Sequence, residues 1–211
     1  MLSPRIIDHI VYAVPDLERA MSQLEDQLGI RPVFGGFHKT QGTKNALLNL
    51  GAGCYLEILA IDEENTEING PRWMGIDLIT EPRVTRWAIK SETIKQDSET
   101  LKSYDSKMGE IYQGSRKTTA GETLAWKMIL PLPSPKIELM PFMVDWSGSA
   151  FHPTEKLEDI CSIKEISFVG NSPNTSNEVF NKLNISTFIS KAEKDMISVT
   201  IKGPSGIVVL F

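Results

Sequence analysis

The sequence predicts an α+β protein assembled from a repeated unit of one strand, one helix and three strands. Three observations carry that expectation. Short runs rich in branched residues, such as IIDHIVYAV at 6–14 and YLEILAI at 55–61, read as strands bounded by turn residues. The order of elements over 6–61 recurs over 84–146 and, shortened, from 163 onward. The place where strand yields to helix recurs with it: HIVYAVPDL from His9 lies on RWAIKSETI from Arg86 and on EISFVGNSP from Glu165.

In the first unit the opening strand stops at Pro15-Asp16, where Asp16 is suited to cap a helix. Leu17, Ala20, Met21, Leu24 and Leu28 follow at helical spacing, and Gly29 ends the helix. Strands are expected at 31–37, 46–50 and 55–61, the last two joined by Gly51-Ala52-Gly53. The acidic, then mixed stretch 62–82 reads as a linker. In the second unit VTRWAIK (84–90) is a strand, and 94–108 is a helix with a weak apolar face, closed by Gly109. A short strand at 110–115 precedes longer ones at 123–130 and 137–146, separated by a Pro-rich turn at 131–135. A connector, 147–159, carries His152-Pro153. The third unit has a strand at 163–169, a helix at 175–183 and strands at 187–191, 197–201 and 207–211. Gly203-Pro204-Ser205-Gly206 joins the last two, and the final apolar run is expected to be paired.

At 211 residues the chain suits one large domain or two small ones, and its 41% apolar content is ordinary for a globular protein. A net charge of −5 argues against a general nucleic-acid binder. No run reaches the roughly 18–20 apolar residues of a membrane span. MLSPRIIDHIVYAV lacks the pattern of a signal peptide, so the chain reads as mature cytoplasmic protein. Cys54 and Cys161 have no metal-type spacing and are expected as buried free thiols. There is no G-x-G-x-x-G, P-loop, G-x-S-x-G or H-E-x-x-H, so nucleotide-cofactor, hydrolase and kinase readings have no support. The charge runs 62–67 and 191–195 read as solvated loops.

Glu57 stands inside CYLEILAI, and a carboxylate in a buried strand is costly unless it is paired or bound to something. It is a metal ligand, a general base whose pKa burial raises, or the partner of Arg86 in a bidentate pair. Arg86 would otherwise clamp a carboxylate or phosphate. His9, flanked by Ile7, Ile10 and Val11, is a ligand or base facing a cavity, or a hydrogen-bonded core histidine. His38, Thr43 and Asn45 lie in or beside the Gly-containing turn 35–42. They suit either ligand recognition or local turn bonding, with His38 the first to touch a ligand. Of Trp87, Trp126, Phe142 and Trp146, most belong to the core and a few to a pocket wall.

IDHIVYAVPDLERA from Ile7, HKTQGTKN from His38, YLEILAID from Tyr55 and PFMVDW from Pro141, followed by His152-Pro153, resemble the glyoxalase-like domain proteins of the vicinal oxygen chelate superfamily. The motifs cover about residues 5–155; the third unit shares only its order and GPSGIVVLF. The resemblance implies βαβββ modules at about 6–61 and 84–146, paired into a half-open barrel around a cavity within a domain of residues 1–155. Residues 156–211 would form a short third module that extends the sheet or covers an edge.

The resemblance also implies a divalent metal (Zn, Fe, Mn or Ni) held by a first-strand His and a last-strand Glu of each module. It would act as a Lewis acid on a carbonyl or enolate. By position His9 and Glu57 are the first pair. The second module departs: Arg86 stands at the His position, and the acid is Glu138 or Asp145 according to the register of IELMPFMVDW. The third module offers Val209, so the set is incomplete unless His38 or His152 fills it.

Two functions are expected. One is a glyoxalase-like enzyme, a lyase, isomerase or dioxygenase, acting on a small oxygen-bearing metabolite. His9 and Glu57 would be metal ligands or acid/base groups, Arg86 would orient an anion, and His38, Thr43 and Asn45 would bind substrate. The other is a metal-free protein of the same fold that binds a drug or toxin among Trp87, Trp126 and Phe142. A structural protein with an Arg86–Glu57 pair filling its cavity is a third reading. The implied partner is a small molecule, with neither nucleic acid nor membrane, and the chain a monomer or homodimer.

Overall fold

The computed structural model describes residues 5–68, 70–118 and 121–211. The start of the stretch read as a mature N-terminus, residues 1–4, lies outside the described residues. β1 (Ile7–Ala13), α1 (Leu17–Leu28), β2 (Val33–His38), β3 (Thr43–Asn49) and β4 (Tyr55–Ile61) form the first module. β5 (Arg83–Lys90), α2 (Ile94–Tyr104), β6 (Ile111–Lys117), β7 (Thr123–Ile129) and β8 (Phe142–Asp145) form the second. β9 (Ser162–Gly170), α3 (Pro173–Lys182), β10 (Ile189–Lys191), β11 (Met196–Lys202) and β12 (Ile207–Leu210) form the third. The punctuation acts as expected: the Asp16 side chain accepts from the Arg19 N–H at 3.0 Å, and Gly29 closes α1 at φ 77°.

The first two modules share one eight-stranded sheet of order β2-β3-β4-β1-β5-β8-β7-β6. It is mirrored about an antiparallel β1–β5 seam, with β4 parallel to β1 on one side and β8 parallel to β5 on the other. The sheet curls until its ends meet. Arg116 on β6 donates to the Gly35 carbonyl on β2, and the Thr40 and Tyr112 hydroxyls lie 3.3 Å apart. The outer face buries Ile10, Leu56, Ile58 and Trp87 in one core that includes the α1 stripe and Leu101 of α2. The inner face buries Val11, Ala88, Met128, Phe142 and Val144. Gly114 makes room there: a Cβ at that position would fall 2.5 Å from the ring of Trp126, its cross-strand partner.

The third module neither extends this sheet nor covers its edge. Its own sheet, β10-β9-β11-β12, packs face-on against the outer face beside Trp87, whose ring lies 4.4 Å from Phe168 and 5.6 Å from Phe180. The Ser205 N–H donates to the Leu28 carbonyl at the end of α1, and the Tyr104 hydroxyl of α2 meets Ser176 of α3. The seam carries a bulky apolar side chain between two helices, and the module buries it.

Two further expectations change. The strand at 137–146 shrinks to β8, because Glu138 donates its N–H to Thr85 and the Leu139 carbonyl accepts from Trp87 Nε1. Pro141 in addition has no N–H for a ladder. The stretch 62–82 is more than a linker. It holds a 3₁₀ turn, Trp73–Leu78, with Met74 and Gly75 at φ 57° and 62°. A Cβ at Gly75 would fall 2.3 Å from the Pro135 backbone nitrogen, so this turn is seated on the Pro-rich loop.

Candidate functional site

The inner face encloses a cavity at the seam. β1 contributes His9, β3 contributes Asn45, and β4 contributes Tyr55 and Glu57, two residues apart on one face. The second module adds Arg116 from β6, Trp126 and Met128 from β7, and Phe142 and Val144 from β8. His38 and the turn residues Trp73 and Met74 complete the wall with Trp146. The free space is about 30 Å³, on a measure by which one water needs roughly 10–15 Å³. That suits the reacting end of a small molecule.

Three carboxylate and imidazole groups form a line into this space. His9 Nδ1 lies 2.7 Å from Asp8 Oδ1, and its Nε2 lies 3.7 Å from Glu57 Oε2. A carboxylate only accepts, so Nδ1 carries hydrogen and Nε2 is the atom presented to Glu57. The ring stacks on Tyr55 at 4.7 Å and meets the edge of Phe142 at 5.2 Å. Asp8 also accepts from Trp146 Nε1 at 2.9 Å and from His152 Nε2 at 3.1 Å. Burial works to raise the Asp8 pKa, but the hydrogen bonds and charges of His152 and His9 prevail and hold it at about 2. Glu57 Oε1 accepts from Asn45 Nδ2 at 2.6 Å. Burial draws the Arg116 pKa down, opposed by Tyr55 and Glu57, while burial with Asp8 and Glu57 pushes the Tyr55 phenol well up.

His38 Nδ1 lies 3.1 Å from Thr43 Oγ1, between Trp73 at 5.4 Å and Trp126 at 6.2 Å. Burial, then Arg116 and His9, pull its pKa down to about 4 against the attraction of Glu57. The ring is therefore neutral at neutral pH, and this gives a pH-dependent stability. In the unfolded chain a histidine takes up its proton near pH 6.5, whereas folded His38 waits until about 4. Between those values the unfolded state binds more protons, so about 3 kcal/mol of stability is lost as pH falls from roughly 6.5 to 4. Urea midpoints measured across that range should fall with pH in the wild type, and less steeply in His38→Gln.

Of the residues singled out in the sequence, the fold brings His9, His38, Asn45, Glu57, Trp126 and Phe142 together on the cavity wall. Thr43 stands behind His38. Arg86, Trp87 and Glu138 are not on the wall. The Arg86 guanidinium is occupied by the carbonyls of Thr85, Leu132, Ser134 and Lys136 at 2.6–3.1 Å, so it holds the Pro-rich loop and no Arg86–Glu57 pair forms. Trp87 faces the outer core. Glu138 lies near Arg86, its pKa raised by burial against that charge. Asp145 turns away to Lys127 at 3.8 Å, because Phe142 and Val144 take the inward positions of β8.

The sequence overlay of His9 on Arg86 is displaced by two residues. In the seam His9 stands opposite Ala88, and register shifts flank it on β1. His9 neighbours Tyr55 on β4 as Ala88 neighbours Phe142 on β8. Two residues further along stand Glu57 and Val144, so the second module offers Ala88 and Val144 where the first has His9 and Glu57. Among the described residues no group of three or more His, Cys, Asp or Glu could hold a metal ion. The donor set does not fit the metal that the resemblance implies.

Sequence reasoning missed Asp8, Arg116 and the part of the wall formed by Trp73 and Met74. Asp8 lies inside IIDHIVYA, and the cost argument applied to Glu57 would have found it. Arg116 lies just past the strand expected at 110–115; in the structure it belongs to β6, and barrel closure makes it interior.

A sequence model described as Glyoxalase-like domain matches residues 7–183. No match was found among curated proteins. Among solved structures, a hypothetical protein from Staphylococcus aureus is similar at a TM-score of 0.63 and 18% identity. That likeness covers 96% of this chain and 97% of the other, so it takes in the third module. Methylmalonyl-CoA epimerase from Mycobacterium tuberculosis is similar at a TM-score of 0.46 and 23% identity, over 69% of this chain and 92% of the other. The Streptomyces coelicolor epimerase, in complex with 2-nitronate-propionyl-CoA, gives 0.45 and 18%, over 69% and 99%. No helix among the described residues is long and apolar enough to cross a membrane.

Proposed function

This chain belongs to the glyoxalase-like domain family, and within it we propose an enzyme that moves a proton at a carbon next to a carbonyl of a small anionic metabolite, as an isomerase or lyase. The observation that carries this reading is the line Asp8–His9–Glu57 running into a small cavity beside Arg116. His9, with its Nδ1 hydrogen on Asp8, accepts the proton at Nε2 as the C–H bond breaks. The electron pair moves into the enolate, whose oxygen charge is met by the Arg116 guanidinium. Asp8 stabilises the imidazolium through Nδ1. The His9 imidazolium, held between the Asp8 and Glu57 carboxylates, returns the proton at another carbon, which completes the shift. Buried aromatic walls keep water from competing. On this reading the small-molecule partner is an oxo acid.

The test is solvent deuterium incorporation, followed by proton NMR, into a panel of small 2-oxo and 3-oxo acids. The wild type should accelerate exchange for at least one of them, and Glu57→Gln or His9→Gln should each slow it about 10²-fold. No exchange across the panel, or variants as fast as the wild type, would sink the reading. A second reading, a binding protein, is favoured by the apolar half of the wall, Phe142 and Val144 with Trp126. Ligands that raise the melting temperature without exchange would support it.

A further inference from the structure

We propose that His152 is a positioning residue: from the connector after the barrel it holds the Asp8 carboxylate, which fixes the His9 ring with Nδ1 protonated and Nε2 turned to the cavity. The kinetic part rests on the proposed role of His9 as base; the spectroscopic part does not.

Asp8 is fully buried, and a buried carboxylate needs donors. It has His9 Nδ1 on one oxygen, and Trp146 Nε1 and His152 Nε2 on the other. Two of these three donors follow β8 in the chain, so the setting of a β1 side chain is completed from outside both barrel modules. The tautomer of His152 is itself determined. Its Nδ1 accepts the Thr154 N–H at 3.3 Å and lies 2.8 Å from the Thr154 hydroxyl, so the ring hydrogen sits on Nε2 and is donated to Asp8. The residue is pinned by a short turn, Pro153–Lys156, with the His152 N–H donating to Glu155 Oε1 at 2.7 Å.

A second route reaches the same target. The His152 ring meets Tyr55 edge-on at 5.8 Å, and Tyr55 stacks on His9. Trp146 closes the other side at 5.5 Å. On its far side His152 borders an outer groove with Phe151 and Ser149. Without the His152 ring, Asp8 keeps one donor on that oxygen and the groove admits water to it. Asp8 then no longer holds a single orientation toward Nδ1, and the two His9 tautomers become comparable.

The experiment uses the full chain labelled with ¹⁵N-histidine, reading ring nitrogen–proton correlations at about pH 8, where free histidine is neutral. His9 signals are assigned by their loss in His9→Gln. The wild type should show His9 hydrogen on Nδ1 and His152 hydrogen on Nε2. His152→Ala should mix the His9 tautomers, and His152→Gln, whose amide can donate to Asp8, should restore the Nδ1 form. His152→Phe keeps the ring volume without a donor and should mix them too, so a fold lost in His152→Ala leaves a working variant. A wild-type His9 with hydrogen on Nε2, or an unchanged tautomer in a folded His152→Ala or His152→Phe, would overturn the proposal. In exchange kinetics kcat should fall about tenfold with KM unchanged. If the wild type catalyses no exchange while the tautomer shifts as described, the proposed reaction fails and the positioning role stands.

Discussion

Trp87→Ala is expected to cost about 3–5 kcal/mol, the range for truncating a buried large aromatic, and to loosen the third module from the barrel. Trp87 is fully buried at the seam, opposite Ile10. Its ring carries the contact with Phe168 and Phe180, and its Nε1 donates to the Leu139 carbonyl at 2.9 Å. Truncation therefore opens a cavity between two sheets and leaves a buried carbonyl without its donor. Urea denaturation gives the global loss, and amide hydrogen exchange gives its location. Amides of β9 and β11 should lose protection before those of β1 and β4. A loss below about 1 kcal/mol, or uniform loss of protection, would contradict this.

Asp8→Ala should be comparably severe, at about 3–5 kcal/mol, because it strands the partners of a buried charge. His9 Nδ1, His152 Nε2 and Trp146 Nε1 all lose their acceptor in one substitution. The pH dependence gives an independent check. Folded Asp8 titrates at about 2, against 3.8 for the free group. Its stabilising contribution is therefore complete above the unfolded value and disappears as pH falls through about 2. The variant should be weaker at neutral pH and should lose less stability between pH 4 and 2. Equal acid sensitivity in both proteins would mean that Asp8 is not the group responsible. Asp8→Asn, which keeps an acceptor for one donor set but turns an amide to the other, should fall between the two.

The fold was legible because it follows from local pattern. Strands such as YLEILAI and VTRWAIK, the α1 stripe and the Asp16 and Gly29 caps are each decided by residues within a dozen positions. The order strand, helix, three strands recurs along the chain, and the resemblance to the glyoxalase-like proteins implies the paired modules. Part of the cavity was legible for another reason. His9 and Glu57 are polar residues in expected strands, and the cost of burying the Glu57 carboxylate points to a partner or a ligand.

What the sequence by itself determined is the set of elements, their order and the polar residues of the first module's wall. Only the tertiary structure decided what faces them. The bulged register of β1 against β5 set Ala88, not Arg86, opposite His9. The alternation of β8 turned Phe142 and Val144 inward and Asp145 outward. Curling of the sheet brought Arg116 to Gly35, and a turn 16 residues beyond Glu57 added Trp73 to the cavity wall. Side chains alternate with a period of two, so one residue of register exchanges wall for core, and register is a property of the paired strands together.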